Sequence, residues 1–436
     1  MSEWGSVELR NLFDLSIPGE WGNAPDGIND TYVLRAADFT KDCKLKTEIG
    51  APRVIPTSKL IQRRLEKGDL LLEKSGGSPD QPVGRVVYFN RDGDNFSLSN
   101  FLQLLRVNKK FDSLWAYYLL TALYDSNVVL RYQQQTTGII NFKLEEYLSE
   151  MVDAPFSIGE QQKIANILST VDKLIENTQT LIDKYTAIKQ GMMADLFTRG
   201  IDLSPGPDGT PASNPNYGQL RPSVKDTPDL YKETELGCVP KDWDVVLMDK
   251  YASRGSGHTP SKSFPEYWNG GIKWVSLADS SKLDNLYIYD TDKEISELGL
   301  SNSSATKHPA GTVILSRDAG IGKSAILGEV MAVSQHFMAW RCGSNADSYF
   351  LYFWMQYMKP SFENIAMGST IPTIGLDYFK RLKIAVPSTT QEQIMIGQRI
   401  LSVHESICKY AVELKKYQII KKGLMQDLLA GKVKVS

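Results

Sequence analysis

Two short runs carry residue types that could do chemistry. Ala319-Gly-Ile-Gly-Lys-Ser324 is similar to the end of a loop whose backbone amides and lysine cradle nucleotide phosphates. That loop needs a glycine five residues before the Gly of Gly-Lys, and Arg317 occupies that position. Asn214-Pro-Asn-Tyr217 is similar to the Asn-Pro-Pro-Tyr with which adenine methyltransferases hold a flipped base. The second proline is missing, the setting is rich in proline and glycine, and no glycine-rich cofactor strand stands upstream. The four histidines (His258, His308, His336, His404) have no metal-ligand spacing and adjoin no nucleophile motif. His404, beside Glu405 in a helical pattern, reads as a solvated or interface residue. Cys43, Cys238, Cys342 and Cys408 lie far apart without a CxxC pair, so reduced thiols are expected rather than zinc or disulfides. No paired carboxylates suggest acid–base work. The expectation is a binding protein with no catalytic group and no metal.

Binding chemistry is better represented. In the first half, Glu73-Lys74-Ser75-Gly76-Gly77-Ser78 is followed by Gln81 and Arg85, then by Gln134, Thr136, Thr137 and Asn141. The second half offers His258, Thr259, Ser261 and Lys262, then Ser316, Arg317 and Lys323, then Ser369 and Thr370. Gln, Asn, Arg and Lys can read base edges, and amides and hydroxyls at glycine turns suit phosphates. Each of these residues alone reads more readily as a plain surface loop residue than as a DNA contact. The signal is that both halves place such loops at matching landmarks. Trp268, Trp274, Trp340 and Trp354 read as core, although glycines beside Pro265-Glu-Tyr-Trp-Asn-Gly-Gly271 could expose aromatics there.

The elements that position these loops come in two copies. The offset that lays Pro155 on Pro387 also lays Glu160-Gln161 on Glu392-Gln393, Lys184-Tyr185 on Lys416-Tyr417 and Asp195-Leu196 on Asp427-Leu428. Upstream the register drifts. Trp4 then pairs with Trp243, Ala37-Asp38 with Ala278-Asp279, and Asp112-Ser113 with Asp347-Ser348. The order is a divergent globular domain, a better-preserved tail, and the same again. Each tail reads as a long helix. In the first, Ile164, Leu168, Val171, Ile175, Ile182 and Tyr185 follow alternating steps of four and three, with Thr178 filling one slot. In the second, Ile396, Ile400, Val403, Ile407, Leu414 and Tyr417 do the same. A second row (Ile167, Leu174, Leu181, Ile188) widens the stripe and leaves apolar surface for a partner's helices. Helices of roughly 55–60 Å would bury such stripes best by pairing antiparallel. Gly191 and Gly423 are expected to mark a helix end or a close contact.

The remaining composition fits. The chain has 436 residues, with 49 basic and 51 acidic side chains and a formal charge of −2. A generally basic coat is excluded, though a local basic groove is not. No apolar run approaches a membrane span, and the start lacks an export signal, so a cytoplasmic protein with no membrane partner is expected. The expected division is 1–155 and 241–387 as globular domains, 156–200 and 388–436 as helices, and 201–240 as linker and entry to the second copy, with Pro, Gly, Ser and Asn concentrated in 201–216.

These features together resemble the DNA-specificity subunit of Type I restriction-modification systems. The resemblance rests on Gly-Glu-Gln-Gln-Lys-Ile164 and Thr-Gln-Glu-Gln-Ile394 opening the helices, and Ile-Lys-Gln-Gly-Met-Met193 and Ile-Lys-Lys-Gly-Leu-Met425 near their ends. It rests also on Gly-His-Thr-Pro260, Pro-Glu-Tyr-Trp-Asn-Gly-Gly-Ile-Lys-Trp274 and Tyr231-Lys-Glu-Thr-Glu-Leu-Gly-Cys-Val-Pro240. It implies an α+β fold: two similar mixed α/β target-recognition domains in pseudo-twofold arrangement, separated by a long antiparallel two-helix coiled coil. It further implies double-stranded DNA as ligand, each domain reading half of a split target, with two methyltransferase and two restriction subunits as partners. S-adenosylmethionine, ATP and magnesium then belong to those partners, and this chain carries no cofactor. The first domain departs at Gly19-Glu-Trp-Gly22, which stands where the second has Gly-His-Thr-Pro260. Two other readings compete: a two-headed coiled-coil scaffold for proteins, and a nucleotide hydrolase using Lys323 and Ser324.

Overall fold

The computed structural model describes residues 4–78, 80–93, 95–136, 138–318, 320–366 and 373–435. It divides into two compact units: Met1–Gln179 with Val412–Ser436, and Thr180–Ala411. Each unit thus holds one globular half, the beginning of the long helix that follows it and the end of the other long helix. Within each unit the helix segments bury part of their stripes together with the globular core.

In the first unit an antiparallel sheet runs in the order Phe13–Pro18, Leu102–Val107, Leu70–Glu73, Val86–Tyr88. Leu70, Leu71, Leu72, Val86, Val87, Leu104 and Leu105 are all fully buried, as unbroken apolar runs require when both faces are covered. A second sheet joins Ala51–Val54, Asp30–Leu34 and Phe96–Leu98, the last two parallel. The helix Ser113–Asp125 covers the first sheet with Trp115, Tyr118 and Leu119. Asp112 caps it by accepting from the Trp115 amide at 2.8 Å.

The second unit repeats the plan. One sheet runs Ser253–Ser256, Phe337–Arg341, Val313–Ser316, Ser324–Leu327, Tyr287–Ile288, and the other Lys293–Ile295, Trp268–Val275, Met331–Val333, Lys307–His308. The helix Ser348–Ala366 covers the former and is capped by Asp347, which accepts from the Phe350 amide at 2.8 Å. Trp274, Trp340 and Trp354 are buried, whereas Trp268 is half-buried.

The Glu-Gln pair that opens each long helix is a duplicated latch. Strand Trp4–Glu8 pairs with Met151–Pro155, and Trp243–Leu247 pairs with Lys383–Pro387. Glu160 then accepts from the Trp4 indole at 3.2 Å, and Glu392 from the Trp243 indole at 3.1 Å. Gln161 accepts from the Asp112 amide and donates to the Pro155 carbonyl; Gln393 accepts from the Asp347 amide and donates to the Pro387 carbonyl. Each latch ties the helix start to the strand before it and to the cap of the covering helix.

The long helices span Ile158–Arg199 and Thr390–Leu428. In the first unit, Ile164 and Leu168 share a core with Met425 and Leu428, and Lys421 pairs with Asp172 at 2.7 Å. In the second, Ile396 and Ile400 share a core with Met193 and Leu196, Lys189 meets His404 at 3.3 Å, and Tyr185 stacks on Tyr410. Within each unit the two helices therefore run antiparallel. Val171 is buried; Ile175, Ile182, Tyr185, Val403, Ile407, Leu414 and Tyr417 are half-buried. Ile164, Leu168, Ile396 and Ile400 also pack on their own globular half, so they do more than join helix to helix. Leu174 (41% exposed) and Ile188 (40%) carry the second apolar row at the surface.

Three stretches that the sequence left open take definite form. Residues 201–240, expected as linker and entry to the second copy, are tied into the second unit. Ile201 is buried, Arg221 forms a buried pair with Glu392, and Tyr231–Thr234 pairs with Gly237–Pro240, because an otherwise lone buried Glu392 needs a cation. Gly191 and Gly423 mark neither helix end nor close contact, since a Cβ on either would meet nothing within 4 Å among the described residues. Of the two readings of His404, solvated or interface, the second holds: it is buried beneath Phe353 and beside Lys189.

Candidate nucleic-acid interface

In the first half, part of the expected set converges on one small sheet. Strands Gln133–Thr136, Ile139–Phe142 and Ser75–Gly76 pair in that order. Gln134 lies opposite Asn141, and Asn141 opposite Ser75, so the three side chains form a polar row on one face. Ser75 donates to the Asn141 amide oxygen at 2.7 Å, which fixes that row. Gly76 (φ +117°) and Gly77 (φ +62°) occupy the left-handed half of backbone space, and a Cβ on Gly77 would press into Val83. Ser78 and Gln81 close a tight turn through reciprocal backbone bonds. Burial pushes the Lys74 ammonium below its usual range. Thr136 ends the strand; Thr137 lies outside the described residues.

Arg85 is not available to a ligand. Its guanidinium is buried, pairs with Glu73 at 2.7 Å, lies over Phe39 and donates to the Thr40 and Ala36 carbonyls. Burial of Glu73 raises its carboxyl, and the arginine works against that shift, so the pair is held as a unit of the core.

In the second half, the His258 amide donates to the Val333 carbonyl and the His258 carbonyl accepts from the Trp274 indole. Thr259 bonds Gln335, the Ser261 carbonyl accepts from the Trp268 indole, and Lys262 is exposed. Ser316 is fully buried within its strand and cannot face a ligand. The Arg317 backbone bonds His336 and Ile374. Lys323 donates to the Ser280 carbonyl, and Ser324 starts a buried strand rather than a helix, so these residues do not build a phosphate loop. Ser369 and Thr370 lie outside the described residues.

A feature that sequence reasoning missed is present in both halves. A cleft of about 550 Å³ is lined by Trp21, the turn Arg35–Ala37, Ser75–Gly77 and the turn Ser99–Phe101. A cleft of about 500 Å³ is lined by Thr259, Pro260, Lys262, the turn Ser276–Ala278 and the turn Ser334–His336. Both stand on one backbone frame. Leu34 pairs with Leu98 in parallel, as Val275 does with Val333. The Ser99 amide donates to Leu34 and the Ser334 amide to Val275; the Glu20 amide donates to Leu98 and the His258 amide to Val333. Asp38 and Asp279 each cap the turn beside the cleft. A Cβ on Gly19 would collide with the Leu98 carbonyl, and one on Gly257 with the Val333 carbonyl. Gly-Glu-Trp-Gly22 and Gly-His-Thr-Pro260 are thus the same structural opening, with Trp21 lining the first cleft where Thr259 lines the second.

The family model described as "Type I restriction modification DNA specificity domain" matches residues 1–186 and 240–422. The chain belongs to this family. The two matched stretches are the two copies described above, each running from a globular half into its helix. Over its full length the chain is 25% identical to the MjaVIII specificity subunit of a type I restriction enzyme of Methanocaldococcus jannaschii, covering 98% of that protein. The MjaIX specificity subunit of the same organism is 32% identical over 165 residues, 37% of this chain and 38% of its own. Among solved structures, the S subunit of a type I restriction-modification system from M. genitalium superposes with a TM-score of 0.60 at 15% identity, covering 98% of this chain and 96% of that one. A chain from a structure of type I R-M complex assembly and conformational transition superposes with a TM-score of 0.50 at 14% identity, covering 99% and 98%. At these identities the likeness is one of fold.

Proposed function

We propose that this specificity-family chain reads a two-part, asymmetric target in double-stranded DNA, one half per globular domain, and performs no reaction itself. The observation that carries this is the atom-level duplication: two halves with the same latch, cap and cleft frame, and different residues lining the clefts. One scaffold used twice with different contact residues suits a reader of two different half-sites. The long helices, with Leu174 and Ile188 exposed on a second apolar row, suit docking by helices of methyltransferase subunits. Two such subunits and two restriction subunits would complete the assembly. S-adenosylmethionine, ATP and magnesium would be held by those partners. No helix among the described residues is long and apolar enough to cross a membrane, which accords with work on DNA in the cytoplasm.

A net charge of −2 points to weak binding by the chain alone and tight binding in the complex. The test is domain exchange. Residues up to Pro155 are replaced by the first domain of another family member, and the methylated motif is mapped with the methyltransferase subunit present. One half-site should change; a change in both, or in neither, overturns the modular reading.

A further inference from the structure

The duplicated cleft separates what is kept from what varies. Ser99 and Ser334 occupy the same bonded position, are 2% and 0% exposed, and their hydroxyls have no hydrogen-bond partner among the described residues. The capping aspartates Asp38 and Asp279 are buried in both copies. Around this constant floor the wall differs: Trp21 against Thr259, Arg35 against Ser276, Asn100 against Gln335.

We propose that these clefts are the base-reading sites, with Asn100 discriminating bases in the first domain and Gln335 in the second. This rests on the DNA-reading function above and goes beyond it by naming the residues. Asn100 and Gln335 are both exposed and stand next to the orphan serine on the turn that closes the cleft. Their amides each offer a donor and an acceptor, the pair that matches adenine N6 and N7 in the major groove. Neighbouring groups hold Gln335 and the rim of the first cleft in place. Thr259 bonds the Gln335 amide oxygen, and the adjoining His336 is tied to Asp318. On the first cleft's rim, the Arg53 guanidinium lies 4.6 Å over the Trp21 ring and donates to the Trp21 and Gly22 carbonyls. A fixed rim and an exposed amide are what discrimination needs, because a loose amide accepts more than one base edge.

The proposal also ranks the two polar surfaces of the first domain. Asn141 is half-buried within a strand pair, whereas Asn100 is exposed on the turn that closes the cleft. The small sheet that carries Gln134 and Asn141 is then a backbone-positioning surface.

The test uses the purified complex of this chain with its methyltransferase subunit and a panel of duplexes permuted one base pair at a time. Asn100→Ala should flatten preference at one or two adjacent positions of one half-site, by roughly five- to a hundred-fold. Gln335→Ala should do so in the other half-site only. Both side chains are exposed, and retained binding of the complex to the unpermuted duplex reports a folded variant. Unchanged preference in both variants, or uniform weakening at every position, overturns the proposal. If Asn141→Ala instead relaxes one position, the small sheet is the reader and DNA recognition stands without the cleft. If the wild-type complex shows no positional preference at all, the parent reading fails and this proposal with it.

Discussion

His404 should make the second unit acid-sensitive. It is 7% exposed, its Nδ1 lies 3.3 Å from the Lys189 ammonium, its Nε2 faces the Cys408 thiol, and its ring packs on Phe353. Burial first, and then the lysine charge, depress its pKa from 6.5 to about 4. The neutral imidazole is therefore the folded form. The stability this confers is fully present above pH 6.5 and is lost as pH falls from there towards 4. At about 1.4 kcal/mol per unit the whole shift is worth about 3 kcal/mol. Between pH 7 and pH 5 the expected loss is about 2 kcal/mol. Denaturant unfolding of the full chain at both pH values, in wild type and in His404→Gln, isolates this share from that of the carboxylates. The glutamine variant should lose about 2 kcal/mol less on acidification. With only four histidines in the chain, the titration is also accessible to NMR, where one resonance should stay neutral down to about pH 4. A His404 signal titrating near 6.5, or equal acid losses in the two proteins, would refute the reasoning.

Arg221→Met leaves Glu392 buried without its cation and should cost about 3–5 kcal/mol in chemical denaturation. Lys44→Met, which breaks the more exposed pair with Glu176, should cost no more than about 1 kcal/mol. Ile400→Ala, at a fully buried position, should destabilise by about 2–5 kcal/mol, whereas Ile419→Ala, 73% exposed on the same helix, should change stability by less than about 0.5 kcal/mol. Gly423→Ala places a methyl in open space inside a helix and should raise stability by up to about 1 kcal/mol; a loss would mean that the position is packed. Seven residues inserted after Gln179 and seven after Ala411 keep a 3.5-residue stripe in phase and add about 10 Å to each helix. On the proposed reading, the unrecognised gap in the methylated motif should then grow by about three base pairs.

What the sequence revealed depended on how local the physics was. The latch was legible because Glu160-Gln161 and Glu392-Gln393 must keep a fixed distance from Pro155 and Pro387, whose carbonyls they grip. The helix stripes were legible because Ile164, Leu168 and Val171 bury one face at regular spacing. Arg85 was misjudged because its partner Glu73 meets it across two paired strands, and nothing in the intervening glycine-rich turn announces a buried ion pair. Ser316 looked like loop chemistry but ends a buried strand. The clefts escaped because the copies drift in register upstream. Gly19 and Gly257 become equivalent only once their close approach to the Leu98 and Val333 carbonyls is seen. Asn100 and Gln335 then follow, two residues beyond each of those carbonyls. An alignment anchored on paired strands rather than on identities would have found them.

The central claim is that two copies of one reading domain recognise two different half-sites. Expressing this chain with its methyltransferase subunit in a host free of DNA methylation, and sequencing the modified bases of the genome, tests it most directly. One motif is expected, with two specified, dissimilar ends and an unspecified stretch of constant length between them. A single uninterrupted motif, or a genome left unmethylated by an assembled complex, would contradict it.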